Sequence, residues 1–236
     1  IGIALYTKWK YPQLVKKDPH IHLKKQRLKE IFSFSSLTCL QQSIMNLGIL
    51  AVQGLVNSYG TTVMAAFAAG VKIDAFAYLP VQDFGNACSI FLAQNYGAKE
   101  QERIRKGLKG ALLTSVGFSF VVSFFVYIFA ADLIALFIDA NQTSVIMEGV
   151  RYLHIEGSFY FMIGILFLFY GLYRALGKPG MSVVLTVISL GLRVLLAYTL
   201  SGIEGIGVVG IWWSVPIGWF LADLVGFTYY FTHRRE

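Results

Sequence analysis

The chain has 236 residues, 56% of them hydrophobic and 14% charged, with a formal net charge of +7 and a mean hydropathy of +0.61. A soluble domain carries about 25% charged residues, and here the apolar positions gather into runs of about 20 or more, enough to cross a hydrocarbon core roughly 30 Å thick; an ordinary soluble fold is excluded. The basic residues crowd into the short stretches 8–29 and 99–109, Arg174 with Lys178, and Arg234 with Arg235, with no alternating aromatics to form a stacking platform, so nucleic acid is excluded as a partner.

In chain order, six apolar spans are predicted at 31–57, 62–95, 107–131, 150–176, 181–201 and 207–231. Helices are expected, because a membrane-spanning backbone must satisfy its own hydrogen bonds and no span shows the dyad alternation of a barrel strand. The fold class is thus an all-α membrane protein built as a six-helix bundle. Stretch 8–29 holds eight Lys or Arg against one Asp. The turn at 57–61 is uncharged, 99–109 is basic, 132–148 is acidic, Arg174 and Lys178 are basic, and the turn at 201–207 carries Glu204 alone. The sign changes at every crossing, which places both ends in the cytoplasm. Cys39 and Cys88 lie inside apolar spans and are expected as buried thiols rather than a disulfide or metal pair. Ile1 to Lys10 resembles the aromatic-then-basic end Phe227 to Arg235, a weak repeat. Residues 1–30 are therefore expected to hold the end of a preceding helix and a cytoplasmic linker between lobes, with 31–236 as the second lobe.

The second span holds the most unusual residues: Lys72, Asp74 and Asp83, with Tyr78, Gln82 and Asn86. Ionisable groups at bilayer depth are costly and mark pathways. Pro80 removes a backbone donor near mid-helix, where a kink is expected. Asp83 is the favoured coupling residue, ahead of Asp74; a structural Lys72–acid pair is the plain alternative. Gln41, Gln42 and Asn46 line the first span. Gln42 lies roughly 16 Å deep at helical rise, so it is expected to meet Asp83 near mid-membrane, although such amides also glue helices together. Glu156 and Arg193 have similar depth in the outer halves of their spans and are expected to form a structural ion pair. His154-Ile155-Glu156 lacks the spacing of a zinc motif, and no nucleophile elbow or phosphate loop occurs, so neither a metal site nor an enzyme is indicated.

The strings Ala65–Asp74, Leu79-Pro80, Gly85-Asn86-Ala87 and Ala93-Gln94-Asn95-Tyr96-Gly97-Ala98-Lys99 closely resemble the eighth helix of MATE (multidrug and toxic compound extrusion) transporters. Leu172-Tyr173-Arg174-Ala175-Leu176-Gly177-Lys178-Pro179-Gly180 resembles the turn between that family's tenth and eleventh helices. Gly97 is expected to free the first turn, and Pro179 with Gly180 to shape the second. The resemblance covers residues 31–232. It implies the C-terminal lobe of a two-lobed, twelve-helix antiporter that needs no cofactor beyond H⁺ or Na⁺ as coupling ion. Such a protein exports cationic or amphipathic compounds across the plasma membrane by alternating access. Its partners would be a matching N-terminal lobe, lipid and small substrates, with the full-length transporter a monomer. Gln41 and Gln42 stand where one branch of the family carries a cation-binding Glu, and Ile163-Gly164 where it carries an Asp, so that carboxylate pair is not expected here. Two alternatives stand beside this reading. One is a flippase for lipid-linked saccharides of the same superfamily, which would favour a strongly basic cavity. The other is a non-transporting or ABC-type membrane subunit served by a separate ATPase.

Overall fold

The computed structural model describes residues 2–12 and 25–233. Its regular elements are helices: α1 Gly2–Lys10, α2 Lys25–Asn57, α3 Thr61–Gly97, α4 Gln101–Ile128, α5 Ala130–Ala135, α6 Thr143–Gly157, α7 Tyr160–Ala175, α8 Pro179–Ser201 and α9 Val208–Thr232. Among the described residues there is no strand. The chain divides into two compact units, 1–36 and 37–236. The first contains α1, where Lys10 sits 6.0 Å over the Tyr6 ring, and the opening turns of α2. Much of the linker expected within 1–30 lies outside the described residues.

Five helices (α2, α3, α4, α8 and α9) are long and apolar enough to cross a membrane. The span expected as one helix over 150–176 is instead two. Helices α6 and α7 meet at a 50° bend, and together they make the sixth crossing if the pair counts as one span. The hydrogen bonding changes at the break. Ser158 Oγ donates to the His154 carbonyl at 2.6 Å, and the Phe159 and Met162 amides close tighter three-residue turns on Glu156 and Phe159. The expected outer connection 132–148 also takes in most of the short α5 and the start of α6, so Glu148 is helical. Pro80 sits inside an unbroken α3.

Both motif turns end helices by the same device. After α7, the Lys178 amide donates to the Tyr173 carbonyl at 2.8 Å and the Gly177 amide to Arg174 at 3.2 Å, with Gly177 at φ +73°. After α3, the Glu100 amide reaches the Asn95 carbonyl at 2.9 Å and Lys99 that of Tyr96 at 3.1 Å. Here the left-handed residue is Lys99 at φ 59°, not Gly97, which remains helical. The turn therefore needs its special backbone two residues later than the sequence suggests. Pro179 opens α8, where its missing amide costs no hydrogen bond.

The centre of the larger unit is the crossing of α3 and α7. A Cβ on Gly171 would lie 2.3 Å from the Gly85 carbonyl oxygen, and one on Gly85 would lie 2.6 Å from that of Phe167. Small residues let helix backbones approach this closely and gain dispersion contacts where lipid offers no hydrophobic drive. Around this crossing Val81, Leu166, Leu172 and Tyr173 are almost fully buried. Cys88 is buried there too, but Cys39 is exposed, contrary to expectation, because it falls on a face of α2 that no other described element covers.

Candidate functional site

The buried face of α3 repeats every three or four residues through Gly70, Asp74, Ala77, Val81 and Gly85. Gly70 leaves room for the Tyr152 ring, which a Cβ would meet at 2.4 Å. One turn further on, Asp74 is 2% exposed. Helix α6 carries Tyr152 and Glu156 four residues apart on one face, and α7 begins at Tyr160, just past the bend. The hydroxyls of Tyr152 and Tyr160 donate to the two carboxylate oxygens of Asp74, one each. Tyr78, one turn along α3 from Asp74, donates its hydroxyl to Glu156 Oε1 at 2.8 Å. Its ring meets Tyr160 and Trp219 edge-on at 6.3 and 5.9 Å.

Asp74, Tyr78, Tyr152 and Glu156 border a cavity of about 280 Å³, walled also by Phe67, Phe167, Tyr170 and Trp219 and by Met45 and Ile49 of α2. Helix α8 contributes Arg193, one turn beyond Ser189, and Gln82 reaches it from α3. Arg193 is 8% exposed and Glu156 only 1%. Both act on Asp74 electrostatically. The two do not form the expected ion pair: among the described residues, ion pairs are Glu102–Lys106 and Glu148–Arg151. Instead Glu156 Oε2 and Arg193 Nε are buried without a hydrogen-bond partner. Buried polar groups are nearly always paired, so two unpartnered atoms at one cavity single it out as the candidate site.

The sequence-predicted residues therefore separate. Asp74, Tyr78 and Gln82 line the cavity, together with Glu156 and Arg193. Asp83 does not: it is exposed, nine residues beyond Asp74, or about two and a half turns, on the opposite face of α3. Gln42 and Asn46 are exposed, whereas Gln41 is buried, so the expected Gln42–Asp83 meeting is not formed at a buried site. Asn86 accepts from Arg174 Nη2 at 3.1 Å, tying the α7 turn to α3. Lys72 is exposed and sits 5.1 Å over the Phe137 ring rather than beside an acid. Tyr152, Tyr160, Trp219 and a further buried acid, Asp223, escaped the sequence reading. The signal for the first two was the four-residue spacing Tyr152–Glu156–Tyr160; for Asp223 it was a lone acid within an otherwise apolar span.

Comparison with known proteins agrees on one lineage. The MatE family pattern matches residues 38–199. A probable multidrug resistance protein of Bacillus subtilis (strain 168), YoeA, is 25% identical over 94% of this chain and 48% of its own length. A second from that organism, YpnP, is 27% identical over 81% of this chain and 42% of itself. Among solved structures, a superfamily transporter from Pyrococcus furiosus superposes with a TM-score of 0.87 at 18% identity, over 96% of this chain and 52% of that one. A multidrug resistance MATE transporter in its outward-facing conformation gives 0.86 at 18% identity, over 96% and 51%. The chain spans about half the length of the curated relatives it matches. With several apolar helices and a family pattern that takes in most of its length, this multi-pass membrane chain belongs to the MatE family.

Proposed function

We propose that the chain is the C-terminal lobe of a cation-coupled antiporter, driven by H⁺ or Na⁺, that exports cationic or amphipathic compounds across the plasma membrane by alternating access. Both ends of this segment would lie in the cytoplasm, and the full-length transporter would act as a monomer with a matching lobe supplying the other wall of the pathway. The observation that carries the reading is the aromatic cavity in which Asp74 and Glu156 face one guanidinium, Arg193, with an acceptor and a donor left unpartnered. Two carboxylates against one cation favour a positively charged occupant, and aromatic walls suit an amphipathic one. A pyrophosphate-carrying flippase would need several cations here, and the cavity supplies one.

Asp74 is the proposed coupling group. When a coupling ion occupies it, the phenols of Tyr152 and Tyr160 lose part of their reason to converge on it. They lie on opposite sides of the 50° bend, so a small rotation there separates them and changes the cavity's shape. Each tenfold ion gradient supplies about 1.4 kcal/mol and each charge crossing 100 mV about 2.3 kcal/mol, which such a cycle would spend on export. The test is export of a cationic dye by the full-length transporter in vesicles. Asp74→Asn keeps size and most hydrogen bonding, and export should fall at least about tenfold at normal expression. Asp83→Asn, off the cavity, should keep most of it. The reverse ranking would refute Asp74 as the coupling group.

A further inference from the structure

Helix α9 brings a third acid into the interior, after Asp74 and Glu156, and nothing in the cavity just described uses it. Asp223 is 6% exposed, and its Oδ1 is buried with no hydrogen-bond partner. It follows Trp219, a cavity wall, by one helical turn. Helix α7 packs beside this part of α9: a Cβ on Gly226, three residues beyond Asp223, would lie 2.8 Å from the Phe169 ring. The next residue of α7, Tyr170, lines the cavity. Asp223 thus lies outside the cavity, one helical turn from its Trp219 wall.

The other charged or titratable groups facing α9 hold other partners or lie away from Asp223 along the helix. On α7, Tyr173 donates to the Gly226 carbonyl at 2.6 Å. On α8, Arg193 has its Cβ against Gly218, more than a turn away along α9. On α6, Glu148 accepts from Trp212 Nε1 at 2.8 Å, about three turns from Asp223, and Glu156 belongs to the cavity. On α9 itself, Tyr229 stacks with His233 and lies beneath Lys178 at 5.6 Å. No described cation comes within ion-pair distance of Asp223.

An unpaired carboxylate charge inside a membrane bundle is costly, and intramembrane acids of this kind hold a proton or a metal cation. Among the described residues no group of three His, Cys, Asp or Glu gathers to hold a metal ion, so the occupant argued here is a proton. We propose that Asp223 is a second proton-binding site, distinct from the Asp74–Glu156 cavity and one turn of α9 from its Trp219 wall. Loading and unloading it changes the field at that wall, and so the cavity's affinity for a charged occupant, from the side of α9.

The experiment uses the full-length transporter and dicyclohexylcarbodiimide, an apolar reagent that modifies protonated carboxyl groups, with sites mapped by peptide mass. Asp223 should be labelled, and its labelling rate should fall severalfold as the pH is raised. Labelling of Asp223 should still be found in Asp74→Asn, even where export is lost, which separates this proposal from the one above. In export assays Asp223→Asn should displace the pH profile, with Asp223→Glu restoring it. Absence of labelling, a rate independent of pH, or an unaltered pH profile in Asp223→Asn would each overturn the proposal. Should Asp223→Asn fail to fold, the labelling of the unmutated protein decides.

Discussion

Tyr160→Phe removes one hydroxyl and little else, so its consequence can be worked from the geometry. The ring keeps its contacts with Tyr78 while Asp74 loses one of its two phenol donors. A hydrogen bond to a charged group contributes about 1.5–3 kcal/mol. At 1.4 kcal/mol per factor of ten, the balance between loaded and empty Asp74 should move by about 10- to 150-fold. A carboxylate stripped of a donor holds its cation more tightly. The coupling-ion concentration for half-maximal export should therefore drop by at least about tenfold, and turnover should slow because release becomes harder. The assay is dye export from proteoliposomes holding the full-length transporter, titrated with H⁺ and with Na⁺. In an Asp74→Asn background the same substitution should change little, giving a coupling energy of about 1.5–3 kcal/mol in the double-mutant cycle. Half-saturation unchanged within about twofold, or additive effects of the two substitutions, would refute the pairing as part of the coupling step.

Two further outcomes concern the scaffold and its orientation. Gly171→Ala should lower the thermal midpoint of the detergent-solubilised transporter, at a cost of about 1–3 kcal/mol, because its methyl would lie 2.3 Å from a backbone carbonyl that has no rotamer to yield. Gly117→Ala on α4, where a Cβ meets nothing within 4 Å, should hold or raise the midpoint, and equal shifts in the two would contradict the α3–α7 crossing. A cysteine at Asn141, in the acidic connection before α6, should react with an impermeant maleimide added outside intact cells, and one at Lys106 should not; reaction of both from one side would invert or break the proposed topology.

What the sequence made legible follows from which physical signals are local. Hydropathy, turn chemistry and charge alternation are local, so the helices α2, α3, α4, α8 and α9 and both motif turns were readable as such. The bend between α6 and α7 was not. It falls in an apolar stretch that carries no proline, and the one polar mark at the break is Ser158, whose hydroxyl takes a backbone carbonyl. The two acids of α3 show the same limit at the site. Depth alone ranks Asp83 with Asp74, since both lie well inside a 37-residue helix. Facing separates them, and facing was partly written in the small residues: Ala66, Gly70, Ala77 and Gly85 mark the packed side of α3, Asp74 follows Gly70 by four, and Asp83 falls half a turn out of register. What no periodicity could show is the partner set. Tyr152 and Tyr160 come from across a bend, and they read as ordinary aromatics until Asp74 stands between their hydroxyls. Similar depth likewise suggested that Glu156 and Arg193 neutralise each other. Each instead keeps an atom unpartnered at a shared cavity, because Tyr78 takes one oxygen of Glu156 and leaves the other free. Glu156 thus spends its one hydrogen bond on a phenol of α3 rather than on the guanidinium of α8, a choice that similar depth along two helices could not reveal.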